Sequence, residues 1–433
     1  MENKKAVGLI LILIIVLLAI TIIPAYPRFH DEMNSANDRL ITGSRTVQTN
    51  HGLLEYGDGG GGYPVLVIHG AGGGYNQGLI LGKTFLSDEF RLIAPSRFGY
   101  LRTPIPVDAT PSVQADTYAD LLDYLDIEEV IVVGVSAGGP SALQFALRYP
   151  DRSTALVMVS AISYTGKAMN PFEWVIHNTL LKSDLIFWLV AKHFESMLIF
   201  FLGVPLEVQD ELTPKDKTWI SDVLIPSMHP ISQRNAGMLN DASNYIRKYP
   251  IEQITVPTLV IHAQDDGLVP LSHGQYTADS IPNTKFVALQ SGGHFLMGQH
   301  ESVRLQIKNF LKPLIITERI LEGRWILRSF TIDGEEILFP EEKNITIRFD
   351  AEGKLSGSGG CNEFIGPYRI IYDNMISIGP IAFTEMACPE GMEQEQLYFG
   401  SLEELSKFSL TDDELRLSST NERIVLIFSK QSL

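Results

Sequence analysis

The chain has 433 residues, of which 45% are hydrophobic and 20% are charged, and this composition is typical of a folded globular protein rather than a disordered one. Its length exceeds the size at which a single hydrophobic core stops growing, so more than one domain is expected. The formal net charge of −17 would repel a polyanion, and no basic stripe offsets it, which argues against nucleic acid as a partner.

The amino terminus predicts a membrane segment. Lys4 and Lys5 precede an uninterrupted apolar stretch over residues 6–23, and about 18 residues is the short end of the range for a transmembrane helix. A cleaved signal peptide is the alternative, but the stretch is long for one and no good cleavage site follows it. We expect an uncleaved membrane anchor over residues 1–27 and a linker over residues 28–45. Because a short amino-terminal tail favours staying inside the cell, the bulk of the protein is expected outside the cytoplasm.

The first chemically informative segment is glycine-rich. Residues 64–68 form an apolar run that predicts a strand, and the sequence His69-Gly70-Ala71-Gly72-Gly73-Gly74 follows it. Taken alone, these glycines are compatible with a flexible connection.

A G-x-S-x-G motif follows the next well-defined strand. Residues 130–133 are a buried apolar run, Gly134-Val135-Ser136-Ala137-Gly138 comes directly after them, and residues 139–147 predict a helix. A strand, a sharp turn with serine at its apex, and a helix form the nucleophile elbow of serine hydrolases. Glycines flank the serine because the turn is too tight for side chains there. Ser136 is therefore the candidate nucleophile.

A long insertion separates the strand over residues 155–159 from the next strand, which begins at Pro257. Residues 162–250 are far too many for an ordinary connection, and they contain runs of large apolar residues that predict two or three amphipathic helices. These apolar faces either pack on each other and on the core, line an apolar acyl pocket, or rest against a membrane. Charged residues among them argue against a second membrane span.

A carboxylate and a histidine complete the set of groups that a nucleophilic serine needs. The strand over residues 257–262 leads to Asp265 and Asp266, and either carboxylate is placed to orient an imidazole. The strand over residues 284–289 leads to a turn that contains His294, the candidate base. The chain order is serine, aspartate, histidine.

This order and these motifs resemble the α/β-hydrolase superfamily over residues 46–311. The acid of that family usually lies three residues before a Val-Pro pair, which selects Asp266 over Asp265. The resemblance implies an α/β fold with a helical lid inserted at residues 162–250. It also implies an oxyanion hole built from the backbone N–H groups of Ala137 and Ala71, with Gly72 as the alternative to Ala71.

The remaining sequence changes character near residue 315, where short alternating runs predict strands and residues 392–407 predict a helix. The segment Gly360-Cys361-Asn362, with Thr384-Glu385-Met386-Ala387-Cys388 further on, resembles the META, or HslJ-like, domain. We expect this small, mostly β domain over residues 318–433, after a hydrolase domain over residues 46–315. The resemblance implies a fold more than an activity.

Both cysteines of the protein, Cys361 and Cys388, lie in these two META motifs. No histidine follows His300, so a zinc site in this domain is not expected. The cysteines are either a pair of buried thiols or a disulfide, which an oxidising compartment would permit.

The sequence thus predicts a membrane-anchored serine hydrolase with Ser136, Asp266 and His294 as its catalytic groups, and no metal or organic cofactor. A small carboxylic ester with an apolar acyl group is the expected substrate. Thioesterases, peptidases and hydrolases of carbon–carbon bonds use the same groups and stay as alternatives. Outside the enzyme class, the alternative is a binding or envelope-stress protein that uses the hydrolase fold as a scaffold.

Overall fold

The computed structural model describes residues 23–164, 179–244, 248–315, 321–340, 343–350, 352–372, 375–411 and 413–431. The chain divides into two compact units, residues 1–308 and 309–433. The division falls within a helix, His300–Ile315, a few residues before the boundary expected from the sequence.

The first unit is built on an eight-stranded sheet with the order β1-β2-β4-β3-β5-β6-β7-β8. Strand β1 is antiparallel to β2, and β2 is antiparallel to β4. The other six strands, β3 to β8, run parallel to one another. The strands are β1 (Arg45–Thr49), β2 (Gly52–Gly59), β3 (Tyr63–Ile68), β4 (Phe90–Pro95), β5 (Val130–Val135), β6 (Ser153–Val159), β7 (Thr258–Ala263) and β8 (Thr284–Leu289). The helices outside the lid are Tyr75–Phe85, Pro111–Tyr124, Gly139–Arg148, Ser272–Ser280 and His300–Ile315.

The central strands are continuous apolar runs because both faces of the sheet are covered. Every residue of β5 is buried, and so is every residue of β7. The side chains of Leu66, Val132 and Leu156, on three neighbouring strands, are fully buried in one core. Since parallel strands end at the same edge, the segments after β3, β4, β5, β7 and β8 all emerge together, and these are the segments that carry the predicted site.

The structure corrects the predicted linker, because residues 23–42 form a helix. Met33, Ala36 and Leu40 recur at intervals of three and four residues and are buried, as expected for one face of an amphipathic helix. The Phe29 ring meets that of Trp188 edge-on, with 5.8 Å between centroids.

The predicted anchor lies outside the described residues except for its last five. Among the residues described, no helix is long and apolar enough to cross a membrane.

The described part of the predicted lid consists of short helices joined by loops. Its helices are Asp184–His193, Glu195–Phe201, Leu206–Glu211, Pro214–Trp219 and Asn235–Asn244, and a π-helical segment, Ile220–Leu224, continues the fourth of these into Ile225–Ser227. Phe187, Leu198 and Ile199 are buried in a core that the lid shares with Tyr100 and Met297, whereas Phe200 and Phe201 are about half exposed. The predicted lid residues 165–178 and 245–247 lie outside the described ranges.

The second unit is an antiparallel sheet with the order β10-β9-β18-β17-β16-β14-β13-β12-β11, in which β15 also pairs with β13. Its strands are β9 (Gly323–Ile332), β10 (Glu335–Glu336), β11 (Thr346–Phe349), β12 (Lys354–Ser358), β13 (Glu363–Tyr372), β14 (Met375–Ile378), β15 (Ala382–Phe383), β16 (Lys407–Leu410), β17 (Glu414–Ser418) and β18 (Ile424–Lys430). The Leu327 N–H donates to the Ile345 carbonyl over 3.0 Å, which brings the start of β11 against β9 and closes the sheet on itself.

One face of this sheet is apolar, because alternate residues of a strand point to the same side. In β18, Ile424, Leu426 and Phe428 are buried and the residues between them are not. The helix Met392–Leu402 covers this core. It ends five residues earlier than predicted, because the chain has begun to pair with β17 by Ser406, whose N–H donates to the Ser418 carbonyl.

The two META motifs are joined covalently and by hydrogen bonds. Cys361 and Cys388 form a disulfide, with 6.2 Å between their Cα atoms. The buried Asn362 side chain accepts a hydrogen bond from the Met386 N–H over 2.6 Å and donates one to the Glu395 carboxylate over 2.7 Å. The motif residues therefore have a structural task, which is to hold two loops and the helix together.

Candidate active site

Ser136 lies at the apex of a strained turn after β5. Its φ is +51°, a value that non-glycine residues rarely adopt and that is found where structure enforces it. The close approach of neighbouring segments explains the flanking glycines: a Cβ on Gly138 would overlap the Ile68 carbonyl, and one on Gly134 would lie 2.6 Å from the Ala142 Cβ. The turn therefore places the Ser136 hydroxyl beyond the end of the sheet.

His294 lies between Ser136 and Asp266 and contacts both. Its Nε2 is 2.8 Å from the Ser136 Oγ, and its Nδ1 is 2.9 Å from Oδ2 and 3.1 Å from Oδ1 of Asp266. All three side chains are buried. In this arrangement Nδ1–H donates to the carboxylate, which leaves Nε2 free to accept the proton of the serine.

Asp266 is held as a carboxylate. Its Oδ1 accepts the N–H groups of Leu268 and Val269 at 2.9 and 2.8 Å, and the Nε2 of the buried His262 lies 3.3 Å from its Oδ2. Burial by itself would raise the pKa of Asp266, but its electrostatic interaction with His294 and these hydrogen bonds outweigh burial and hold the pKa well below its ordinary value.

The neighbouring Asp265 has a different set of partners. Its carboxylate accepts the N–H groups of Gly292 and Gly293, at 3.2 and 2.9 Å, in the loop that carries His294. The chain turns after β7, and it is the Asp266 carboxylate, not that of Asp265, that contacts the imidazole. The geometry agrees with the choice of Asp266 that the family pattern implied.

The predicted oxyanion residues lie on peptide units whose carbonyls are fixed. The Ser136 carbonyl, in the peptide that carries the Ala137 N–H, accepts the Ile162 N–H over 2.9 Å. The Gly70 carbonyl, in the peptide that carries the Ala71 N–H, accepts the His69 Nδ1–H over 2.7 Å. Since the C=O and N–H of a trans peptide point in opposite directions, these bonds also fix the two N–H groups.

Gly70 and Gly72 are both packed too closely for a side chain. A Cβ on Gly70 would lie 2.9 Å from the Ser136 Cβ, so the glycine-rich segment borders the nucleophile directly. Gly72, the alternative oxyanion residue, has a φ of +68°, and a Cβ there would lie 2.7 Å from the Met228 Cε of the lid.

Arg97 and Asp241, two buried polar residues at the site, were not anticipated from the sequence, and His69 was named only as the start of the glycine-rich segment, without a role. Arg97 follows β4 and forms a bidentate ion pair with Asp241 of the lid, with N–O distances of 2.6 and 2.7 Å. His69 accepts the Arg97 N–H at Nε2 over 3.0 Å, and burial, together with the charge of Arg97, holds its pKa well below the ordinary value, so the ring is neutral. Arg97 and Asp241 are 144 residues apart, and no local pattern signals such a pair.

The lid is hydrogen-bonded at one residue to both the loop that carries Asp266 and the loop that carries His294. The Gly203 carbonyl, just after the lid helix Glu195–Phe201, accepts the N–H groups of Gly267 and His294 at 3.1 and 2.9 Å. A Cβ on Gly203, whose φ is +88°, would lie 2.9 Å from the His294 Cβ. The apolar lid helix therefore ends directly beside the segments that carry Asp266 and His294.

Clusters of three or more histidine, cysteine, aspartate or glutamate side chains that could hold a metal ion do not occur within the part of the chain that the structure describes.

Comparisons with known proteins agree with this architecture. A family model described as alpha/beta hydrolase fold matches residues 63–301, and the META domain model matches residues 318–432. An uncharacterized hydrolase of Bacillus subtilis, YcgS, is 29% identical over 262 residues, which cover 58% of this chain and 91% of that protein. A 2-hydroxy-6-oxo-6-phenylhexa-2,4-dienoate hydrolase of Burkholderia cepacia is 26% identical over 57% of this chain and 86% of its own length.

Among solved structures, an alpha/beta hydrolase fold protein from Nakamurella multipartita is similar, with a TM-score of 0.51 and 27% identity over 62% of this chain and 99% of that one. The hydrolase family model covers more than half of the present chain, and it includes the Ser136, Asp266 and His294 positions. The protein therefore belongs to the alpha/beta hydrolase family and carries a META domain after its hydrolase domain.

Proposed function

We propose that this hydrolase cleaves carboxylic esters through an acyl-enzyme formed on Ser136. The observation that carries the proposal is the unbroken line of contacts from the Asp266 carboxylate through the His294 imidazole to the Ser136 hydroxyl. A serine is a weak nucleophile without such a base.

The chemistry follows from which atoms face each other. Ser136 Oγ attacks the ester carbonyl while its proton passes to His294 Nε2, and the carbonyl electron pair moves onto the oxygen. The Ala137 and Ala71 N–H groups stabilise that oxyanion, and losing one such donor typically costs about 3 kcal/mol of barrier. His294 then protonates the leaving alcohol. Water, which gives a proton to His294 as Ser136 did, attacks the acyl-enzyme and releases the carboxylic acid product. Asp266 keeps the proton of the imidazole on Nδ1 throughout.

An apolar acyl group is the proposed substrate feature. It is supported by the apolar lid helix Glu195–Phe201, which is followed by Gly203 beside the loops of Asp266 and His294, and by the exposed Met197, Phe200 and Phe201 of that helix. A series of p-nitrophenyl esters from acetyl to dodecanoyl tests this, since kcat/KM should rise with chain length. A maximum at acetyl would contradict an apolar acyl site.

Ser136→Ala tests the nucleophile. Wild-type protein should react with a fluorophosphonate reagent and hydrolyse esters, and the variant should do neither while keeping its thermal unfolding temperature. Wild-type protein that does not label, under conditions where a known serine hydrolase does, would favour the alternative of a non-catalytic scaffold.

Cleavage of a carbon–carbon bond is the second candidate reaction. The name of the Burkholderia cepacia relative supports it, because the enzyme is called a hydrolase of a 2-hydroxy-6-oxo-dienoate. Incubation with that compound, followed by loss of its dienol absorbance, separates the two reactions. Turnover of the dienoate with kcat/KM well above that of any ester would replace the ester proposal.

We also propose that residues 1–27 anchor the protein and leave both domains outside the cytoplasm. The apolar stretch over residues 6–23 supports an anchor, and the Cys361–Cys388 disulfide supports an oxidising compartment. Protease added to intact cells should degrade both domains, whereas degradation only after lysis would contradict this placement.

A further inference from the structure

The Arg97 guanidinium is the point where the nucleophile turn, the glycine-rich segment and the lid meet. Its side chain is only 2% exposed. Nη1 donates to the Ala137 carbonyl over 3.1 Å and Nη2 donates to the Gly70 carbonyl over 3.1 Å. The same two nitrogens bind the two carboxylate oxygens of Asp241.

Both carbonyls belong to the residues that shape the proposed oxyanion hole. The Gly70 carbonyl shares its peptide plane with the Ala71 N–H. The Ala137 carbonyl lies in the peptide that follows the Ala137 N–H, so Arg97 holds that N–H from the next peptide along the chain. A planar guanidinium offers donors in a fixed geometry, so it can hold two carbonyls at a set separation while it pairs with a carboxylate. The ammonium of lysine is a single point charge and cannot reproduce this arrangement.

The Asp241 carboxylate sets the orientation of the guanidinium from the other side. Asp241 lies in the lid helix Asn235–Asn244, and its Oδ2 also accepts the Tyr100 hydroxyl over 2.6 Å. The Tyr100 oxygen in turn accepts a hydrogen bond from Arg97 Nη2 over 3.1 Å. Rotation of the guanidinium would break the ion pair, so the lid helix and the two oxyanion segments constrain one another.

We propose that Arg97 is a positioning residue that fixes the two oxyanion N–H groups, and that Asp241 makes this geometry depend on the lid helix. The inference rests on the proposed function, because an oxyanion hole matters only if Ser136 attacks a carbonyl. Asp241, a residue of the lid, would then affect the stability of the transition state through its contact with Arg97.

A trifluoromethyl ketone tests the inference directly. Ser136 Oγ adds to its carbonyl carbon, the proton passes to His294, and the carbonyl electron pair becomes a hemiketal oxyanion in the oxyanion hole. Its inhibition constant therefore measures how well the hole is formed. Arg97→Lys should raise that constant about 10- to 100-fold and lower kcat/KM by the same factor, with little change in KM.

Two measurements separate positioning from a loss of folded protein. Fluorophosphonate labelling to completion counts the active sites, so that kcat is expressed per competent site. Arg148→Lys is the matched control, because Arg148 forms an equally bidentate pair with Asp116 on the surface, at 2.8 and 2.9 Å. This control should leave the inhibition constant and kcat within about twofold of wild type, as expected for an exposed pair.

Removing one member of a buried ion pair can unfold a protein, so two further variants are needed. Tyr100→Phe removes one hydroxyl and leaves the ion pair in place, and it should shift the inhibition constant in the same direction by a smaller factor. The double variant Arg97→Met, Asp241→Leu removes both charges together, which buried pairs tolerate better. It should remain folded and show the defect of Arg97→Lys or a larger one.

The outcomes are decisive in both directions. Parallel changes in kcat/KM and in the inhibition constant, at an unchanged pH profile, support the inference, because the triad itself is then intact. If Arg97→Lys or the double variant is folded and has the inhibition constant of wild-type protein, the inference about Arg97 is wrong. The proposed function would still stand, provided that the wild-type protein hydrolyses esters. Wild-type protein without hydrolase activity would overturn both.

Discussion

The Nε2 of His262 lies 3.3 Å from the Oδ2 of Asp266, so this carboxylate faces a second buried imidazole in addition to that of His294. The same Nε2 is 2.8 Å from the Val269 carbonyl, which means that it carries the proton and donates. His262 is the last residue but one of β7, and the strand therefore supplies a support for the acid four residues before the acid itself.

His262→Leu should lower kcat roughly tenfold without changing KM, since hydrogen bonds to charged groups contribute about 1.5 kcal/mol or more. His262→Gln retains an N–H donor and should recover much of the loss. Steady-state kinetics on the best ester checks this, and equal activity of the leucine and wild-type proteins would show that the contact has no effect on the acid.

The depressed pKa of Asp266 predicts how stability depends on pH. A carboxyl group whose pKa is lowered by folding contributes stability that is fully present above its unfolded pKa, about 3.9 for aspartate, and is lost as pH falls towards the folded value. The free energy of unfolding of wild-type protein, minus that of Asp266→Asn, should therefore decrease between about pH 5 and pH 2. Urea unfolding across this range measures it, and a flat difference would refute the depressed pKa.

Asp265→Asn and Asp266→Asn should have separable effects although the residues are adjacent. Asp265 holds the Gly292 and Gly293 N–H groups, so its loss should destabilise the protein by about 1–3 kcal/mol and reduce kcat moderately. Asp266→Asn should reduce kcat by about 10³–10⁴, as expected when the imidazole loses the partner that sets its tautomer. Chemical denaturation and kcat, measured on both variants, distinguish the two roles, and a reversed pattern would assign the acid to Asp265.

Gly70→Ala should reduce kcat by at least about 100-fold, because a methyl group 2.9 Å from the Ser136 Cβ would displace the nucleophile by a few tenths of an ångström or more. Gly61→Ala is the control, since a Cβ there meets nothing within 4 Å and its backbone φ is not positive. Ester hydrolysis by the two purified variants provides the comparison, and an active Gly70→Ala protein would show that this segment moves freely away from Ser136.

The Cys361–Cys388 bond closes a loop of 27 residues and should stabilise the second unit by about 3–4 kcal/mol in the chain-entropy account. Thermal unfolding with and without reductant should therefore show a lower melting temperature for the META transition after reduction. Thiol titration of denatured, unreduced protein should find no free thiol. Two free thiols would mean that the protein as isolated lacks the bond.

Much of the candidate active site could be predicted from the sequence because each of its three residues follows its own strand. A G-x-S-x-G motif between a buried strand and a helix predicts where Ser136 lies, and local apolar runs before Asp266 and His294 place them at the same sheet edge, since parallel strands end together. The helix at residues 23–42 was missed because its buried face consists only of Met33, Ala36 and Leu40, among polar residues that suggested a linker.

What the sequence determined by itself was thus a set of strands, the turn that carries Ser136, and the chain order of the three candidate catalytic residues, all of which depend on residues close together in the chain. Only the tertiary structure decided how the Gly70 and Ser136 carbonyls are fixed, and that Arg97 joins the Gly70 and Ala137 carbonyls to Asp241. These are contacts between residues up to 144 positions apart, made where water is excluded. No periodicity records such a contact, because each partner is an ordinary polar residue until folding brings the other within hydrogen-bonding distance.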